Sequence, residues 1–253
     1  MPTILFLHGF AESREVWTEF TRPFPAGYRL LTPNLLGHGT NRAPVPDFSM
    51  EAQARHVASY LDQKGVTGPV LVVGHSMGGY VALALAERYP DRLAGLVLLN
   101  STAYPDTDEK RQNREKNISF VERHGLDKFM ESFVRPLFAP PTATACPKPW
   151  PCSKTLPRPR PKPPSRARLR GMAARPDRTQ VLRGAAFPVL LVAGKHDVAV
   201  PLADSVAQAA LPPSARRSSW KAAATRRIWS SPSPRAGLCW RWPARCLGSR
   251  TGL

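Results

Sequence analysis

The stretch that most constrains this chain runs from Pro69 to Leu85: Pro-Val-Leu-Val-Val-Gly-His-Ser-Met-Gly-Gly-Tyr-Val-Ala-Leu-Ala-Leu. It opens on a short apolar run, Val70 to Val73, of the kind that suits a strand buried on both faces. It closes on Tyr80, Val81 and alternating Ala and Leu, which suit a helix. Between them stand Gly74-His75-Ser76-Met77-Gly78, followed by Gly79. A strand that turns sharply into a helix crowds the backbone two residues either side of the tip. Glycine at 74 and 78 relieves that crowding and leaves Ser76 in a strained, exposed conformation. The hydroxyl then stands at the mouth of the sheet, and the Met77 N–H opens the helix beside it. This is the pattern of a nucleophile elbow. A bare G-x-S-x-G match arises by chance; the apolar strand before it and the small-residue helix after it make this one specific. The competing reading is a glycine-rich turn that only packs a helix on a sheet.

The rest of the chain alternates in the same way. Thr3–Leu7 reads as a strand, followed by His8-Gly9-Phe10. A helical pattern around Ser13 to Phe20 comes next, then a strand over Tyr28–Thr32 and the loop Pro33 to Gly39. Ser49 is a fair N-cap for a helix through Leu61, stopped by Gly65. After the elbow and its helix, Leu93–Leu99 is the next strand. Apolar strands alternating with helical segments mean βαβ units and a mostly parallel sheet flanked by helices, an α/β class. From Asp106 to Val134 the period becomes helical, with a break at Gly125 and an apolar face of Ile118, Val121, Leu126, Phe129 and Phe133. Met172–Leu182 reads as helix, Phe187–Ala193 as strand and Leu202–Leu211 as helix. Residues 1–102 and 185–253 are therefore expected to form one core, and 103–184 a helical cap inserted in it.

The net charge of +18 suggests nucleic acid or membrane, but its distribution argues otherwise. Residues 141–170 carry eight Lys and Arg, and residues 214–253 carry nine, with no acid in either window. The remainder is balanced to within one charge. The same windows hold all four cysteines and five of the six tryptophans. Both lack periodicity, and the proline-rich run in 141–170 is not expected to form a helix. The cysteines, without nearby His or acids, make no metal site. Met1 to His8 has no basic n-region or long h-region, so no signal peptide is expected, and no apolar run approaches the roughly 18 residues of a membrane span. A cytoplasmic protein follows as the default, with no specific nucleic acid, no membrane and no cofactor, its oligomeric state open.

With His8-Gly9-Phe10, the Ser76 elbow and Gly194-Lys-His-Asp-Val-Ala-Val-Pro201 in that order, the sequence resembles the α/β-hydrolase family, and within it small bacterial esterase-like and lactonase-like members. The resemblance covers about 1–140 and 171–213. It implies Ser76 as nucleophile, Asp197 as the acid of a catalytic triad, and the N–H groups of Phe10 and Met77 as the oxyanion hole. It also implies a small ester, thioester or lactone as substrate. A serine hydroxyl needs a base within reach, the base needs a carboxylate to hold its tautomer, and the developing oxyanion needs two donors. Taken alone, Asp197 would read as a solvated loop carboxylate; after a buried strand, between Gly194 and Pro201, it reads as the triad acid. His8 reads as a structural brace. His75 and His196 flank the proposed site residues and are assigned no catalytic role. His124 reads as a cation before Gly125, His38 as a loop residue and His56 as a helix-surface residue.

The family's histidine follows the acid, in a Gly-His-x-x-x-x-Glu-x-Pro context. This chain has no histidine after His196. Moving the codons of Ser219–Ser231 back by one nucleotide permits a reading that contains G-H-A-A-H-L-E-Q-P. Windows 141–170 and 214–253 are thus read as out-of-frame translation of a hydrolase gene. The alternative is a non-catalytic remnant acting at most as a binding protein, without base or final strand.

Overall fold

The protein is described by a computed structural model, over residues 1–41, 45–134, 165–195, 197–213 and 216–217. Strand β1 (Thr3–Leu7) is fully buried. A 3₁₀ turn at Arg14–Trp17 and the single turn α1 (Thr18–Thr21) lead to β2 (Arg29–Leu31). Helix α2 (Met50–Gln63) starts at Ser49, whose Oγ accepts the Ala52 N–H at 3.1 Å, and Gly65 beyond its end lies at φ 65°. Strand β3 (Val70–His75) turns into α3 (Met77–Arg88), and β4 (Leu93–Leu99) follows. The chain then leaves the sheet for α4 (Asp108–Val134), kinked at Gly125 (φ 83°), α5 (Ser165–Ala173) and α6 (Thr179–Arg183). It returns as β5 (Val189–Val192), α7 (Leu202–Ala209) and the two-residue β6 (Arg216–Arg217).

All strand pairs are parallel, in the order β2-β1-β3-β4-β5-β6. A parallel sheet must be covered on both faces, and alternation along each strand does this. Ile4, Phe6, Leu71, Val73, Val97, Leu99 and Leu190 form one cluster with Trp17. Leu5, Leu7, Val72, Leu96, Leu98, Val189 and Leu191 face the other way, onto α2, α3 and the inserted helices through Ile118, Phe129, Leu169 and Met172. The order reverses at β1: the chain moves to β2 on one side and to β3 on the other. That makes the carboxyl ends of β1 and β3 the crevice of the sheet.

Three expectations need correction. Ser165–Arg170 opens α5, although window 141–170 was expected to be non-helical. The last proline is Pro164, and Arg, Ala and Leu beyond it are strong helix formers. Met172–Leu182 is not one helix, because Arg175 precedes Pro176 and the residue before a proline disfavours the α conformation. A strand does follow Asp197: β6 pairs Arg216 with Leu190 and Arg217 with Leu191. The parallel ladder is satisfied by backbone alone, so two residues join it without an apolar pattern. Residues 141–164, 214–215 and 218–253, which carry most of the out-of-frame reading, lie outside the described residues, as do His196 and the Phe133 side chain.

Candidate active site

The two glycines of the elbow are there for space. A Cβ on Gly74 would stand 2.5 Å from the Gly78 oxygen, and one on Gly78 would collide with the Leu7 carbonyl. The turn brings α3 against both its own strand and β1, and leaves Ser76 at φ 50°, ψ −118°. For a non-glycine residue this is strain that the surroundings must hold. They do so through the backbone. The Ser76 N–H donates to the Leu99 oxygen at 3.0 Å, and its carbonyl accepts the Ser101 hydroxyl at 2.8 Å. Ser76 is half-buried, while Met77, first in α3, and Phe10 are buried. Register Leu7↔Gly74 between β1 and β3 sets the Gly9–Phe10 loop beside the elbow.

Asp197 is 9% exposed, so the solvated-loop reading fails for it. One carboxylate oxygen accepts the N–H groups of Ala199 (2.8 Å) and Val200 (3.0 Å); the other accepts Asn100 Nδ2 at 2.5 Å. Asn100 is a residue the sequence reading passed over. It follows β4 at φ 46°, with its N–H on the Val192 oxygen at 2.8 Å. Asparagine is one of the few side chains tolerant of positive φ, and its place just past a buried strand was the available signal.

The histidines separate by environment. His8 is buried; its Nε2 accepts the Leu35 N–H at 3.1 Å and its Nδ1 faces the Gly9 oxygen at 2.8 Å. Nε2 as acceptor puts the proton on Nδ1, the neutral form, and burial lowers the pKa from 6.5 accordingly. That is the geometry of a brace. His38 lies in a loop, as expected, but is buried: it is 2% exposed, with Nδ1 2.9 Å from the Leu36 oxygen and its ring edge-on to His8. Burial, then the charge of Arg168, holds it well below 6.5. The loop it sits in is folded inward between α5 and the end of β1, which no local pattern announces. His56 is half-buried, near Asn34 and Asn41. His124 stacks on Phe120 at 4.6 Å.

Two further groups were not foreseen. The Glu12 carboxylate accepts the Gly9 N–H at 2.6 Å and lies 3.2 Å from His75 Nδ1. Asp106, before α4, is gripped by Arg114 and Arg175, and the Arg175 guanidinium lies 4.0 Å from the centre of the Tyr80 ring, one turn past Ser76. Among the described residues no cluster of three or more His, Cys, Asp or Glu could hold a metal ion, and no helix is long and apolar enough to cross a membrane. A groove of about 990 Å³ lies between α4 and α5, lined by Arg111, Lys116, Phe120, Arg123 and Arg170; Ser76 is not in its wall.

An open parallel sheet with a strained serine at the end of a central strand and a buried carboxylate two strands away defines an α/β enzyme of the hydrolase type. The family model of the alpha/beta hydrolase fold matches residues 2–220, and the chain belongs to that family. A thermophilic esterase from Thermogutta terrifontis superimposes with a TM-score of 0.86 at 29% identity, over 97% of this chain and 90% of that one. The enol-lactonase from Burkholderia xenovorans shares the fold, with a TM-score of 0.77 at 19% identity over 98% and 91% of the chains. Among curated relatives, Lipase LipV of Mycobacterium tuberculosis is 38% identical over 109 residues, 43% of this chain and 41% of the relative. A putative 2-succinyl-6-hydroxy-2,4-cyclohexadiene-1-carboxylate synthase of Bacillus subtilis is 34% identical over 143 residues, 54% and 52% respectively. The match spans about half or less of the length of these relatives.

Proposed function

We propose that this chain is built as a serine hydrolase of small carboxylic esters, thioesters or lactones. The observation that carries the proposal is the strained Ser76 at the switch point of the sheet, with the Phe10 and Met77 amides at the same strand ends. Ser76 Oγ attacks the acyl carbon, and the two amides receive the charge that forms on its oxygen. The alcohol or thiol departs with a proton, and water then releases the acid from the acyl-enzyme. Asp197 orients the base; its bonds from Ala199, Val200 and Asn100 hold the carboxylate fixed for that role. The helices between β4 and β5 act as a cap that shapes the pocket. Esterases and lipases among its relatives support a small ester-like substrate, held without cofactor in a cytoplasmic enzyme.

The base is what the written chain lacks. Loss of a triad base costs orders of magnitude in rate, so the literal chain is expected to be nearly inactive. The test is fluorophosphonate labelling and p-nitrophenyl acetate turnover by the literal chain and by a version with 214–253 recoded one nucleotide back. Ser76→Ala serves as control. Labelling at Ser76 in the recoded protein alone supports both the hydrolase and the frame reading. Equal activity in the literal chain refutes the frame reading. Two folded, unreactive proteins would favour the second reading, a non-catalytic hydrolase remnant, which the lack of any histidine after His196 recommends.

A further inference from the structure

The proposed chemistry leaves one buried ionisable pair unused. Glu12 and His75 are 10% and 5% exposed along their side chains, and they meet at 3.2 Å. The same Glu12 oxygen accepts the Gly9 N–H at 2.6 Å. A Cβ on Gly9 would come within 3.0 Å of that oxygen and 3.2 Å of His75 Nδ1, so both groups lie directly against the Gly9 backbone. Gly9 precedes Phe10, and His75 precedes Ser76. The pair therefore joins the loop bearing one proposed oxyanion donor to the strand bearing the nucleophile. Among the described residues, His75 Nε2 is buried with no hydrogen-bond partner. Among those residues its ring is hydrogen-bonded through Nδ1.

We propose that Glu12 and His75 are positioning residues: the carboxylate, anchored on the imidazole beside Ser76, fixes the Gly9 amide and so aims the Phe10 amide at the developing oxyanion. This rests on the assignment of Ser76 and Phe10 above. A peptide plane that must point a donor at a transition state gains from a fixed neighbour, because a loosely held donor must be reoriented during the reaction. The groups facing His75 are Glu12 from the loop after β1, Asp197 from the loop after β5, and His8 at the end of β1. Burial opposes a charge on the ring; the two carboxylates outweigh burial and hold the imidazole above 6.5. Glu12 is held below 4.5 for the complementary reason, against its own burial. As pH rises through the His75 pKa, the ion pair becomes a hydrogen bond from a neutral imidazole to the Glu12 carboxylate, and the contact loses its charge-to-charge attraction.

The test uses the full chain with ¹⁵N labelling. The His75 ring nitrogens and the Gly9 and Phe10 amides are followed against pH. They are expected to shift together, with one midpoint above 6.5. Glu12→Gln should abolish the shift of both amides and return the His75 midpoint to 6.5 or below. Amides that stay still through the His75 titration, or that shift equally in Glu12→Gln, overturn the proposal. This readout needs no catalysis, so it decides the clamp even if Ser76 proves unreactive, a result that would refute the hydrolase assignment instead. On the recoded protein, Glu12→Gln should lower the maximal fluorophosphonate labelling rate by about tenfold to a hundredfold, short of full loss of a donor. Probe binding should stay within about twofold, since the donor acts in the transition state. An unchanged labelling rate, or a loss confined to binding, counts against it.

Discussion

Asp106 offers the sharpest test of how the inserted helices are held to the sheet. It is 1% exposed and stands just before α4. Arg114 Nη2 reaches one carboxylate oxygen at 3.2 Å and Arg114 Nε the other; Arg175 Nη1 reaches the first at 2.7 Å. Arg175 also donates to the Met172 oxygen at 2.8 Å and lies on the Tyr80 ring. One carboxylate thus ties the start of the insertion, its first helix and the end of α5 to α3. Asp106→Ala leaves two guanidinium groups, of 3% and 20% side-chain exposure, without their anion. Removing one partner of a buried pair costs about 3–5 kcal/mol. At about 2–4 °C per kcal/mol for a domain of this size, Tm should fall by roughly 6–20 °C. Thermal unfolding followed by far-UV circular dichroism, with urea midpoints at constant m-value, measures this. Asp106→Asn, which keeps the shape and part of the hydrogen bonding, should lie between the parent and the alanine variant. If both variants melt within about 2 °C of the parent, a loss under 1 kcal/mol, the ion cluster is not what fastens the insertion. The pH dependence follows: burial opposes the charge, but the bonds and charges of Arg114 and Arg175 hold the carboxyl below 3.8. The stability it contributes is present above pH 3.8 and is lost as pH falls through the lower folded value.

Other outcomes follow from the same geometry. Gly78→Ala should fail to give soluble protein, because the new methyl meets the Leu7 carbonyl where neither chain can move; a normal urea midpoint would contradict the elbow packing. Asn100→Gly keeps the positive φ but removes a donor from the buried Asp197 carboxylate, at a cost of about 1.5–3 kcal/mol, read from the shift in urea midpoint. His8, His38 and His56 are all held below 6.5, chiefly by burial. The unfolded chain takes up protons there first, so stability should begin to fall as pH drops below about 6.5, and a urea midpoint unchanged between pH 7 and pH 5 would oppose that.

Much of the fold was legible locally. Periodicity located β1, β3, β4 and α2 almost to the residue, and Gly125 marked the kink of α4, because these signals depend on neighbours in the chain. The elbow was legible for the same reason: a strand-to-helix reversal can be built only with glycine at set offsets. Where composition replaced periodicity as the guide, the reading failed over residues 165–170, the part of window 141–170 that is described. Window 141–170 was treated as uniform, although its prolines end at 164 and the helix starts at Ser165. The two-residue β6 has no side-chain pattern at all, since a ladder at the sheet edge is a matter of backbone pairing.

The chain by itself determined the alternation of strands and helices, the strained serine and the family to which both belong. It could do so because steric demands on φ and ψ, and apolar period, act over a few residues. Only the tertiary structure decided which ionisable groups share a site. Glu12 meets His75 across 63 positions, Asn100 meets Asp197 across 97, and Asp106 meets Arg175 from beyond the two described helices α4 and α5. Nothing local distinguishes Glu12 and Asp106 from solvated carboxylates; Asp197 alone was marked, by the strand before it and by Gly194 and Pro201 around it. The charge states of Glu12 and Asp106 come from burial and from partners that only the closing of the sheet brings within 4 Å.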